Sequence, residues 1–128
     1  MKYITPNIIW QDIRSSVAEY TANELLSYYR SAKSYSYDRE AQERENIPPE
    51  VCRAIFQRVD SIISTMRCST DYKVVLMARI LDLEYCCDPT DTTSKVASVG
   101  ISKTTYYKYY HEAKLLFSEF VDRLNKYH

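Results

Sequence analysis

Apolar residues recur along most of this chain at three- and four-residue steps, the spacing of one face of an α-helix. Near the N-terminus Ile9, Ile13, Val17 and Tyr20 keep that spacing, and Thr5-Pro6 opens the stretch, proline being tolerated in a first helical turn. Thr21 can cap a continuation carrying Leu25, Leu26, Tyr28 and Tyr29 to about Lys33. Ser15, Ser16 and Thr21 are weak helix formers, so the pattern fits one helix or two. Residues 34–48 change character: Ser34-Tyr35-Ser36-Tyr37, a mixed-charge run from Asp38 to Glu45, then Ile47-Pro48-Pro49. With no apolar stripe to bury, this stretch reads as a linker, in which part of Asp38–Glu45 could form a solvated helical turn, between an N-terminal helical segment at 1–33 and a helical domain at 49–128.

The second region is more regular. From Pro49 and Glu50, a stripe of Val51, Ile55, Val59, Ile62 and Met66 predicts an amphipathic helix. Ser69-Thr70-Asp71 is a cap signal for the next helix, about Tyr72 to Tyr85, whose apolar residues cover more than one face and suit a central position. Asp88-Pro89-Thr90 stops it, and Asp91, Thr92 or Thr93 can cap a short helix ending near Ser98. A last helix runs from Lys103 to about Lys126, with Tyr106, Tyr109, Ala113, Phe117, Phe120 and Leu124 as its inward face. Tyr110 borders that face and can go either way.

Composition narrows the class. One glycine and four prolines leave little punctuation for a hairpin-rich β fold, and a 45% hydrophobic share is that of a globular chain, so an all-α fold is expected. No run approaches the roughly 18 apolar residues of a membrane span, and Met1 to Pro6 lack the apolar centre of a signal peptide, which implies a cytoplasmic protein. Cys52, Cys68, Cys86 and Cys87 form no C-x-x-C pair and lie far from His111 and His128. They read as reduced, mostly buried thiols, and no metal site or cofactor is expected.

The single glycine, Gly100, stands between the short helix and the last one, where a positive φ would end the first without a Cβ clash. Ser102 follows as an N-cap. Helix, glycine turn and capped helix is the layout of a helix-turn-helix, here at about 91–116, a motif that lays its second helix in the major groove of DNA. Net charge is zero, but residues 92–114 hold four lysines against one glutamate, whereas 38–50 hold five acidic residues against two arginines. Lys103, Thr104, Tyr107, Lys108 and His111 share an outward polar face suited to base edges and phosphates. Ser94, Lys95 and Ser102 are placed for the DNA backbone, Ser102 adding the positive end of the helix dipole. Glycine-rich phosphate loops and the G-x-S-x-G and H-E-x-x-H motifs do not occur, and no catalytic residue is assigned.

Gly100-Ile101-Ser102-Lys103-Thr104-Thr105-Tyr106-Tyr107-Lys108, followed by Glu112 to Phe120, resembles the C-terminus of the ArpU family of phage late transcriptional regulators. That family is similar in pattern to RinA-type activators and to sigma-factor-like helix-turn-helix modules. Leu25-Leu26-Ser27-Tyr28-Tyr29-Arg30 resembles its N-terminal helix more loosely. The resemblance implies a regulator that binds double-stranded DNA in a bacterial host cell, with Thr105 joining the residues above as a DNA contact. Two other functions fit the sequence: an adaptor that binds a partner such as RNA polymerase through the 38–50 region or the last helix, and a small-terminase-like DNA-packaging component. Apolar residues beyond Phe117 are compatible with a homodimer.

Overall fold

In a computed structural model, residues 14, 16–45 and 48–126 are described. Among them are a 3₁₀ turn at Val17–Glu19 and six α-helices, with no strand: α1 (Ala22–Ser36), α2 (Arg39–Glu45), α3 (Pro49–Arg67), α4 (Tyr72–Leu81), α5 (Thr92–Val99) and α6 (Lys103–Lys126). A five-residue π turn, Asp82–Cys86, continues α4. The chain divides into two compact units, residues 1–59 and 60–128, with the division inside α3.

In the first unit the chain is not helical at Tyr20 and Thr21, so the described part of the N-terminal pattern is a 3₁₀ turn followed by a helix. The expected start at Thr5-Pro6 lies outside the described residues. Thr21 opens α1 with a reciprocal capping box: its hydroxyl accepts from the Glu24 amide at 3.1 Å, and Glu24 accepts from the Thr21 amide at 2.9 Å. Arg14 pairs with the Glu24 carboxylate at 2.7 Å, and hydrogen bonds from Arg14 and Thr21 hold that carboxyl below its ordinary pKa. Leu25, Leu26, Tyr29 and Ala32 are buried, and Phe56 of α3 meets the Tyr29 ring edge-on at 6.5 Å.

The expected linker at 34–48 is largely helical. α1 continues to Ser36, and Asp38 starts α2 by accepting from the Ala41 amide at 3.0 Å. Ala41 is the residue that docks it, being 3% exposed. Gln42 adds a side-chain hydrogen bond to the Tyr35 carbonyl; with one small buried side chain and no stripe, periodicity could offer no more than a solvated helical turn here.

In the second unit Ile62 and Met66 of α3 are buried, as their stripe predicts, and so is Ile63 beside it. Asp71 caps α4 by accepting from the Lys73 amide at 3.0 Å. α4 packs chiefly against α6, burying Met77, Ala78, Ile80 and Leu81. The helix predicted to Tyr85 keeps α geometry only to Leu81. Beyond it the Cys87 amide reaches the Asp82 carbonyl at 2.8 Å, and the Cys87 thiol donates to the Asp82 carboxylate at 3.2 Å. The inward face of α6 is Tyr106, Ala113, Phe117 and Val121. Phe120 and Leu124, expected inward, are half-buried, and so is Tyr109, over whose ring the Lys73 ammonium sits at 5.1 Å. The four cysteines form no disulfide, and only Cys52 is buried; Cys86 and Cys87 are half-buried and Cys68 is exposed. No helix of the described residues is long and apolar enough to cross a membrane.

Candidate nucleic-acid interface

α5, the turn Gly100-Ile101-Ser102 and the start of α6 form one continuous surface, and its backbone is fixed by local chemistry. Gly100 ends α5 in the left-handed region (φ 79°, ψ 26°), its amide bonding the Val96 carbonyl at 3.1 Å. A β-carbon added there would meet nothing within 4 Å, so the demand for glycine lies in the dihedral angle alone. Ser102 then caps α6, accepting from the Thr105 amide at 3.1 Å, with its own hydroxyl 2.9 Å from the Thr105 hydroxyl.

Beyond that cap, Lys103, Thr104, Lys108 and His111 are exposed, and Tyr107 is 39% exposed. At 100° per residue these five side chains fall within an arc of about 140°, spread over about 12 Å of helix. In these first turns Tyr106 lies fully buried on the side of α6 away from those five side chains. Tyr107 is braced: its ring stands edge-on to Tyr106 at 5.3 Å, and its hydroxyl donates to Thr92 at 3.4 Å, joining the start of α5 to α6.

Among the residues expected on the DNA backbone, Lys95 is placed differently. Lys95 does not project toward solvent. Its ammonium lies 3.0 Å from both oxygens of Glu84, and the two side chains are only 15% and 12% exposed. Ser94 is exposed but belongs to the α5 cap: Asp91 accepts from its amide at 2.7 Å, and hydrogen bonds from the Ser94 side chain and backbone hold the Asp91 carboxyl below its ordinary pKa. Ser102 and the half-buried Thr105 are engaged with each other. Lys114, counted in the local basic excess, sits over the Tyr110 ring at 4.8 Å. The basic character of the exposed face thus rests on Lys103 and Lys108.

Behind the face lies a polar cluster that sequence reasoning missed. Glu84, from the π turn, accepts from the Tyr106 hydroxyl at 2.8 Å as well as from Lys95. Burial first, and the Glu84 carboxylate second, push the Tyr106 hydroxyl far above its ordinary pKa, so it remains a donor. The Tyr85 and Tyr110 hydroxyls are 2.8 Å apart, which settles Tyr110 against the π turn. Arg79 donates to the Ser98 hydroxyl at 2.9 Å near the other end of α5. These partners stand 11 to 25 residues apart in sequence, so no local spacing marks them. The one hint is that two carboxylates, Asp82 and Glu84, alternate with Leu81, Leu83 and Tyr85 at the end of an apolar helix.

Comparison with models of known families, with curated proteins and with solved structures finds no match for this chain.

Proposed function

We propose that this protein is a sequence-specific DNA-binding transcriptional regulator whose α6 enters the major groove, α5 and α6 acting as a helix-turn-helix. The observation that carries the reading is the exposed set Lys103, Thr104, Tyr107, Lys108 and His111 on the N-terminal turns of a long, Ser102-capped helix that follows a glycine turn. A helix fits the major groove, and its first turns reach base edges. Lysine suits guanine acceptors or phosphate, threonine can meet a thymine methyl, and the open amides at Lys103 and Thr104 favour a phosphate. Lys95 is left out of the contacts, and Ser94 and Ser102 act as capping residues beside the backbone. The resemblance to the ArpU family narrows the expected targets to phage late promoters.

DNA selected from a random pool by the purified protein, followed by mobility shift, tests the proposal. Lys103→Ala and Lys108→Ala should each weaken binding and reduce the slope of log K against log salt by about one, the loss of a phosphate contact. No enrichment and no shift at low salt would overturn the reading and leave the adaptor function in its place.

A further inference from the structure

α5 is an eight-residue helix that buries none of its residues; Val96 and Val99 are only half-buried. A helix seated without a buried apolar face must be held by other means, since packing supplies most helical stability in proteins. Here the means are side-chain ties. Thr92 receives the Tyr107 hydroxyl at one end, Ser98 receives Arg79 at the other, and between them Lys95 is clamped by Glu84.

The middle tie is the strongest by its chemistry. Both charges are largely withdrawn from water, where an ion pair interacts more strongly than on an open surface, and where removing one partner strands the other. Glu84 also accepts from Tyr106, so one carboxylate joins α5 to α6 across the turn. Lysine in a DNA-facing region is ordinarily read as a phosphate contact, but this ammonium is already held on both oxygens of a carboxylate.

We infer that Lys95 is a positioning residue: with Glu84 and Tyr106 it fixes the seat of α5 against α6, and its charge acts on that seat and not on DNA. The inference rests on the DNA-binding reading for its consequence, but the seat itself can be measured without DNA. Lys95→Met keeps the aliphatic stem and removes the ammonium. Glu84→Gln keeps the shape and an acceptor for Tyr106.

Amide hydrogen exchange on the full chain should accelerate at least tenfold at Val96 to Gly100 in both variants, with the amides of Ala113 to Val121 unchanged. The double variant should be no faster than the faster single one, as expected of partners in one interaction. Lys95→Arg should restore wild-type protection. In DNA titrations Lys95→Met should weaken binding while leaving the salt slope at the wild-type value. Unchanged exchange at 96–100 in both variants overturns the positioning role. So does a salt slope lowered by about one, which would make Lys95 a phosphate contact. Where Glu84→Gln does not fold, Lys95→Met and Lys95→Arg decide alone. Should the wild-type protein not bind DNA, the exchange result still stands and only the DNA reading falls.

Discussion

Gly100 and Tyr106 show how differently two positions in one turn are constrained. Gly100 needs its dihedral angle and nothing else, because the space around a β-carbon is empty. Gly100→Ala is therefore expected to cost about 1–2 kcal/mol, the price of a left-handed residue with a side chain. Gly100→Asn should cost less, since asparagine visits that region more readily. Denaturant unfolding measures both, and equal losses in the two variants would point to a packing role instead. Tyr106 is constrained by its partner. Tyr106→Phe keeps the buried ring but removes the donor to a carboxylate, a bond worth about 1.5–3 kcal/mol. A loss below 0.5 kcal/mol, on the order of a surface change, would show that Glu84 is satisfied without it.

At the scale of elements, helices start where a specific side chain caps them. Thr21, Asp38, Asp71, Asp91 and Ser102 each accept from an amide two or three residues on, and each is a residue type whose short oxygen reaches that amide. Thr21→Ala should lower stability by about 1 kcal/mol, with the loss visible as fraying of α1 in amide exchange. An unchanged first turn would mean that the Arg14–Glu24 pair alone holds the segment. Such caps are legible in sequence because they act over three residues. The π turn at Asp82–Cys86 was not legible, since Leu83 and Tyr85 extend the helical pattern through it and the Asp82–Cys87 bonds that reset its geometry leave no mark in the spacing. α2 was legible only as a solvated helical turn, because it has almost no apolar face, yet Ala41 is buried.

For the whole molecule the informative variable is pH. Cys52 is fully buried, and burial pushes its thiol up from 9.0 to about 12; Tyr20, Tyr106 and Tyr110 are also raised, burial being the first cause in each. Each group holds its proton in the folded state at a pH where the unfolded chain has lost it. Stability is then full below pH 9.0, the ordinary value of this thiol, and falls as pH rises through the alkaline range. Denaturant midpoints should decline from about pH 9 upward, the pH where thiols begin to ionise in the unfolded chain. Cys52→Ala should flatten the first part of that decline, from about pH 9 to about pH 10, above which the raised tyrosines carry it, after allowance for its own constant packing loss. A midpoint independent of pH between these limits would show that the thiol is not protected. The charge distribution also changes at this scale. Four lysines at 92–114 suggested a broad basic face, but two are turned to Glu84 and the Tyr110 ring, which leaves Lys103 and Lys108.

Local chemistry was decided by the sequence itself: the all-α class, the stripe of α3, the caps, the left-handed glycine and the division of α6 between Tyr106 and its exposed opposite face. Each depends on neighbours within about one helical turn, so spacing and residue type suffice. The tertiary structure decided what depends on groups remote in sequence. It turned Lys95 inward onto Glu84, set Tyr110 on Tyr85 and buried Val121 in place of Phe120. A lysine on a helix of unknown seat can face water or a carboxylate with the same local pattern. Only the folding of α4 against α6, which brings the π turn beside α5, chooses between them.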